Sequence, residues 1–354
     1  MKISKVINDL PNEMLLKIFA HLSIEDLALS IQHVSERWHQ ISKDDVLWRD
    51  AVFSPKNTMS NEEIILLLQN VPALKTFSTN SETKLKLILD GLHDSRLQIQ
   101  HFDLQRSQTL SLTTLRRIVE LFPDVKYLTL PLPKMMTTQI KWAQVLGQCK
   151  SLISLSFHNR HGYVVKGMLQ PIANGCPSLQ HIYLGHCEFS ADDIQYFLER
   201  KKHQLVSFSA TLRYTGVFTH LSECSKLEYL HIENNNNKLA YNDIKPLSQL
   251  KNLKSIRFLY CTDSIAENLQ HFFLYESFSK IIELDLSHNF SIQDFGFNEV
   301  LKNLPMIKYL NMSSSPNLGD EGLRDIWRCS RLEHLDISKC ALMTDKSVQY
   351  VSKG

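Results

Sequence analysis

Apolar residues in this chain follow two registers, one short and helical, the other long and periodic. Within the first 52 residues, Leu15, Ile18, Phe19 and Leu22 share one helical face, and Leu27, Leu29, Val34, Trp38, Ile41, Leu47 and Trp48 continue through further short segments. Asp9 is expected to cap the first helix with Pro11 in its first turn, and Ser23 to cap the second with Asp26 three residues on. A helical segment of roughly 45 residues buries too little of its surface to stand alone, so this one is expected to need partners on two sides.

From residue 74 the second register takes over. Apolar residues hold the first, fourth and sixth places of a repeating unit: Leu74/Phe77/Thr79, Ile99/Phe102/Leu104, Val125/Leu128/Leu130, Leu152/Leu155/Phe157, Leu179/Ile182/Leu184, Leu205/Phe208/Ala210, Leu227/Leu230/Ile232, Leu253/Ile256/Phe258, Ile281/Leu284/Leu286, Ile307/Leu310/Met312 and Leu332/Leu335/Ile337. Subtracting successive first places gives spacings from 22 to 28 residues, within the range of a leucine-rich repeat. Helical patterns fill the gaps, as at 112–121, 140–146, 194–198, 323–326 and 347–351. Strand followed by helix, repeated, predicts an α/β fold: an N-terminal helical bundle, then a leucine-rich-repeat solenoid (horseshoe) with a parallel sheet on its concave face.

The expected divisions are 1–52 for the bundle, 53–73 for a linker and the first repeat helix, and 74–354 for about 11 repeats. That first helix is read as capped by Ser60 or Asn61 and buried along Ile64, Ile65, Leu67 and Leu68, where the Leu47, Trp48 and Val52 end of the bundle should meet it.

The cysteines check the register independently. Cys149, Cys176, Cys224 and Cys329 each precede a first-place leucine by three residues, while Cys187, Cys261 and Cys340 hold the ninth place, as Asn235 and Asn289 do in two other units. All seven are thereby used, and a ninth-place side chain is expected to bond the backbone where the strand turns away. Two places depart from the pattern. Pro131 and Pro133 should end their strand early, because proline donates no ladder hydrogen bond. The unit from Leu205 is too short for a full outer helix, and the run 234–237 reads as a polar turn.

Composition narrows the class. A 43% hydrophobic, 21% charged chain can build a large core, and 39 basic against 37 acidic residues leave no basic stripe for nucleic acid. No secretory leader and no membrane-length apolar stretch is read from the sequence, and an odd number of cysteines without a leader points to a reducing compartment, cytoplasmic and/or nuclear. The C-terminal helix, at 346–352, carries no polar capping unit after it.

Chemistry is not legible. No phosphate-binding glycine loop, dinucleotide fingerprint, nucleophile elbow or Cys-x2-Cys pair occurs, so no catalytic residue, metal or cofactor is expected. His186-Cys187 has no zinc-type spacing, and Asp44-Asp45 and Asp192-Asp193 fall where helix starts favour acids.

The N-terminal order of signals is specific. Leu10-Pro11-Asn12-Glu13 opens a helix, Val34-x3-Trp38 follows, and Leu47-Trp48 closes the segment; this succession resembles the F-box. With the repeats, the chain resembles the leucine-rich-repeat class of F-box proteins, substrate receptors of Skp-cullin-F-box ubiquitin ligases. The resemblance implies a non-catalytic subunit that docks a Skp-type adaptor, and through it a cullin, by Leu10, Pro11, Glu13, Leu15, Ile18, Phe19, Leu22 and Trp38. Protein targets, led to ubiquitination and degradation, would lie on the concave face.

Third- and fifth-place residues point away from the buried ones, because strand side chains alternate. That face is read as Tyr127, His181, Tyr183, Tyr229, His231, Arg257, Tyr309 and His334, with Glu283, Asp285 and Asp336 forming an acidic sector among smaller serines and threonines. Tyrosine and arginine are enriched at interface hot spots. The alternative is a cytosolic scaffold or inhibitor in which the helical bundle only caps the solenoid.

Overall fold

The computed structural model describes residues 7–56, 58–79, 81–92, 97–106, 110–158, 162–234, 241–260 and 271–352. The chain divides into two compact units, residues 1–133 with 148–152 and residues 134–147 with 153–354.

The first unit opens with α1 (Asn12–Phe19), α2 (Ile24–Leu29), α3 (Glu36–Ser42) and α4 (Asp45–Trp48). Ser23, Ser35 and Asp44 each accept a first-turn N–H, which satisfies donors that a helix start leaves over. Asp9 does not cap α1. It lies in a 3-10 turn, Ile7–Asp9, and Pro11 holds the capping position without a side-chain bond. The start of α1 is instead secured from α3: Arg37 donates to the carbonyls of Asn8 and Leu10 and to the Asn12 side chain, and Trp38 Nε1 donates to Asn8 Oδ1 at 2.8 Å.

Residue 53, read as linker, is already strand. β1 (Val52–Phe53) pairs in parallel with β2 (Thr76–Ser78), a step too short to leave a period in the sequence. Between them α5 (Asn61–Asn70) carries the reciprocal Ser60/Glu63 capping box. It buries Ile64, Leu67 and Leu68, leaves Ile65 half-buried, and packs on α2, where Gln32 Nε2 donates to the Asn70 carbonyl at 3.2 Å. Val52 does not receive it: its side chain is 57% exposed.

The unit continues through α6 (Glu82–Gly91), β3 (His101–Asp103), α7 (Leu112–Leu121) and β4 (Tyr127–Pro131), with β1 to β4 parallel in chain order. Phe53, Phe77 and Phe102 stack along this sheet at 6.0 Å steps between ring centroids, fully buried. β4 does not end early. Pro131 is its last residue, a position where a missing N–H interrupts little of the ladder.

The second unit holds α8 (Met136–Leu146), β5 (Ser154–His158), β6 (Gly162–Tyr163), α9 (Leu169–Gly175), β7 (His181–Tyr183), β8 (Cys187–Glu188), α10 (Ala191–Lys201), β9 (Ser207–Leu212), α11 (Val217–Ser222), β10 (Tyr229–Asn234), α12 (Tyr241–Ile244), β11 (Ser255–Leu259), β12 (Glu283–Asp285), α13 (Asp294–Lys302), β13 (Tyr309–Asn311), β14 (His334–Asp336) and α14 (Asp345–Val351). β5, β7 and β9 to β14 pair in parallel in chain order, and β6 pairs β8 separately. Fourth-place Leu155, Ile182, Phe208, Leu230, Ile256, Leu284 and Leu310 form its core. The fold class is therefore α/β, helical first and then repeating strand and helix.

The short unit behaves as its length requires, α11 having six residues against eleven in α10. The helix read at 323–326 is two 3-10 turns, Asp320–Leu323 and Ile326–Arg328. Such turns also occur at Lys245–Gln249, directly after α12, and at Glu276–Phe278.

Ninth-place side chains bond backbone as expected. Asn289 Nδ2 donates to the carbonyls of Phe258 and Leu286, both at 2.7 Å, and Cys340 Sγ donates to Met312 O at 3.1 Å. Cys176 Sγ likewise reaches Leu146 O at 3.2 Å. Cys261, Asn235 and most of the 234–237 run lie outside the described residues. Immediately before the ninth place, Tyr260, His288, Ser314 and Lys339 all take left-handed backbone, with φ between 54° and 60°. For residues with a Cβ this conformation costs about 1–2 kcal/mol each.

Candidate functional site

Two surfaces come from the residues singled out above. In the first unit, α1 turns one stripe outward and one inward. Leu15 and Phe19 are completely buried, and Trp38, 8% exposed, packs its ring 5.0 Å from that of Phe19. These three are core, which corrects their assignment as docking residues. The resemblance placed them with the docking set, and spacing could not separate them from it, because the burial of a 3.6-residue period depends on which side α3 covers. The outward stripe is Pro11, Met14 (45% exposed) and Ile18 (37%), flanked by half-buried Leu10 and Leu22, with Glu13 exposed beside it. Met14 was missed by the sequence reading, although its place one turn before Ile18 carries the signal.

In the second unit the third- and fifth-place residues share the open sheet face. Small and bulky strands alternate. Ser154 and Ser156 neighbour His181 and Tyr183; Ser207 and Ser209 follow, then Tyr229 and His231. With strands about 4.8 Å apart, the two bulky rows stand about 10 Å from each other across a serine trough. The Tyr183 and His231 rings lean to within 6.3 Å over Ser209, which is buried, while the Ser207 end stays open. His158 stacks on Tyr183 at 5.1 Å and its Nε2 lies 3.0 Å from Ser156 Oγ. In the first unit, Tyr127 meets the His101 ring at 5.6 Å.

Burial lowers the His181 and His231 pKa values, for His231 reinforced by the nearby Arg257 charge, and raises that of Tyr183. The His231 Nε2 atom is sealed from solvent without a hydrogen-bond partner. His186, left aside by the sequence reading, pairs through Nδ1 with Glu233, and Glu233 also accepts from Thr211 Oγ1 at 3.0 Å. Only the fold brings together His186, Thr211 of β9 and Glu233 of β10.

The acidic sector is corrected. Asp285 is 7% exposed, and its Oδ1 accepts the Ser287 N–H at 3.0 Å. Asp336 accepts from Ser338 N at 2.9 Å, which holds its carboxyl below the usual range, and Asn311 accepts from Ser313 N in the same way. These fifth-place groups terminate strands, a role that short Asx side chains suit. Glu283 is paired with Arg257. Burial opposes the Arg257 charge, but Glu283 outweighs it and raises the pKa. Tyr309 and His334 complete the face.

The six described cysteines are buried thiols outside any disulfide, and burial pushes Cys187 and Cys224 up to about 12, far from nucleophilic use. Asp193 is no exposed carboxylate pair with Asp192: it is buried and accepts the Gly167 N–H at 2.8 Å. Among the described residues, no group of three or more His, Cys, Asp or Glu is placed to hold a metal, and no helix is long and apolar enough to cross a membrane.

Comparisons with known proteins agree with this division. Residues 7–54 match the F-box-like family model, and residues 303–326 match a leucine-rich-repeat model. A chain from the crystal structure of the yeast Rad7 and Elc1 complex has the same fold, with a TM-score of 0.60 at 15% identity over 97% of this chain and 83% of that one. An internalin from Listeria monocytogenes aligns with a TM-score of 0.47 at 16% identity, over 93% of this chain and 92% of that one.

Proposed function

We propose that this chain, an F-box protein of the leucine-rich-repeat class, is the substrate-recognition subunit of a Skp-cullin-F-box ubiquitin ligase in the cytoplasm or nucleus. The observation that carries the proposal is the uncovered apolar stripe of Pro11, Met14 and Ile18 on an F-box-like domain whose other apolar face is buried. A Skp-type adaptor would cover this stripe together with Leu10, Glu13 and Leu22. The complex of Rad7 with Elc1 is a precedent for this fold working beside a second protein.

Protein targets would lie on the open sheet face over Tyr183, Tyr229, His231, Arg257, Tyr309 and His334, with His181, Glu283 and Asp336 at their edges and Tyr127 on the corresponding face of the first unit. The subunit performs no bond chemistry; it tethers the target so that its lysines meet the charged enzyme at high effective concentration.

The test is affinity purification of the wild type and of Leu10→Ala/Pro11→Ala with degradation blocked. Loss of adaptor and cullin from the double variant, with targets retained, is the expected outcome. An unchanged adaptor yield overturns the proposal. The second reading, a scaffold whose helical domain is only a cap, has one observation in its favour: β1, from the end of the F-box-like segment, forms the first rung of its sheet. That reading expects no adaptor with either protein.

A further inference from the structure

A cavity of about 430 Å³ in the second unit is lined by Ser248, Lys251, Tyr275, Ser277, Ser279 and Lys280. It lies where two neighbouring repeats run from their outer segments into β11 and β12. In both, a 3-10 turn leads towards the strand, Lys245–Gln249 directly after α12 in one and Glu276–Phe278 in the other. Such turns are short and slender, and they carry the small side chains of Ser248 and Ser277, with Ser279 directly after the second.

The lining is one-signed. Among the described residues that line it, both charged ones are lysines and both are exposed. Neither lysine has a carboxylate within ion-pair distance among the described residues, in contrast to Lys254, which Glu228 holds at 2.9 Å in the same repeat. Two ammonium groups sharing one recess repel each other, and an anion between them relieves that cost.

Hydroxyl groups supply directional bonding. The Ser248 hydroxyl is committed, donating to Lys245 O at 2.7 Å. The Ser277 hydroxyl is not: its oxygen is shut off from solvent and has no hydrogen-bond partner, although the residue as a whole is only half-buried. Nothing holds it there, so rotation about χ1 into the cavity exchanges an unmade bond for a made one. Two ammonium groups and a hydroxyl donor match the acceptor-rich and doubly charged phosphoryl group.

We propose that this cavity is a binding site for the phosphoryl group of a small phosphomonoester, held by Lys251, Lys280 and Ser277. It is a site apart from both the α1 stripe and the open sheet face, and it stands whether or not the chain serves a ligase.

The test is isothermal titration of the full chain in about 150 mM NaCl, with O-phosphoserine and inorganic phosphate as probes and L-serine as the uncharged-side-chain control. Half-saturation by O-phosphoserine near or below about 1 mM is expected. Lys251→Ala/Lys280→Ala should weaken it at least about tenfold, and Ser277→Ala should weaken it by a smaller factor. Lys226→Ala, an exposed lysine elsewhere in this unit, should leave it unchanged, and thermal unfolding without ligand should show all variants folded. Phosphate binding as tightly as O-phosphoserine assigns the site to the free ion and overturns the phosphomonoester. No binding, binding matched by L-serine, or equal loss in Lys226→Ala overturns the site itself.

Discussion

The Tyr309 ring lies flat on that of His334, with centroids 4.7 Å apart and planes 6° from parallel, on residues that face each other across β13 and β14. The pair is held from below by the strands and open above, His334 being exposed. Replacing Tyr309 by alanine should cost only about 1 kcal/mol in urea unfolding, the usual worth of one aromatic contact. The same variant should lose targets captured by the wild type in a quantitative pull-down. Intact capture would remove this pair from the binding face.

The two stripes of α1 should separate cleanly. Trp38→Ala should lower unfolding stability by about 3–5 kcal/mol, because it empties the space against Phe19 and orphans Asn8 Oδ1. Ile18→Ala should cost less than about 1 kcal/mol yet weaken adaptor capture. Urea titration and co-purification on the same two proteins check both halves; a large stability loss in Ile18→Ala would place that residue in the core.

Asn289 tests the ninth place. Its amide bonds two carbonyls in a buried setting, so Asn289→Ala should destabilise by about 1–3 kcal/mol. Asn289→Cys should recover part of this, as Cys340 makes the equivalent bond from its own unit to Met312. Equal losses in both variants would reduce the site to packing alone.

Acid should weaken the protein below the ordinary histidine range. His101, His181 and His231 have pKa values lowered by burial from 6.5. The unfolded chain therefore binds more protons than the folded one in the window below 6.5, so stability falls as pH drops through it. His231, facing Arg257 and His186 as well as Glu233 and Asp285, lies within this set. Urea midpoints at pH 7.5 and 5.5 check the sign, and His231→Gln should flatten the dependence. At still lower pH, Asp320, held down at about 2 first by the Ser347 hydroxyl and then by Thr344, gives up its contribution as pH falls from 3.8 towards that value.

The sequence carried the repeat register because fourth-place residues such as Phe208 and Leu284 must be apolar wherever the strand faces the core. It carried the caps at Ser23 and Ser60 for a similarly local reason: a helix start needs an acceptor within three residues. It could not say which stripe of α1 faces α3, so Leu15 and Phe19 were joined with Ile18. Nor could it distinguish Asp285, which ties down a turn, from an acid offered to a partner. Both distinctions depend on what lies opposite, as does the meeting of His186 with Glu233, 47 residues away on β10.

The pairing of Val52 and Phe53 with Thr76 and Phe77 bears on how the N-terminal segment can be handled. It makes that segment an edge guard as well as the proposed docking module. Cut away after residue 54, it would take β1 with it and bare the backbone of β2, an unpaired rung backed by buried phenylalanines. Such an edge invites another chain to add a strand. Repeats prepared without the F-box-like residues should therefore self-associate, and a soluble fragment should need its first 53 residues even where no adaptor is wanted.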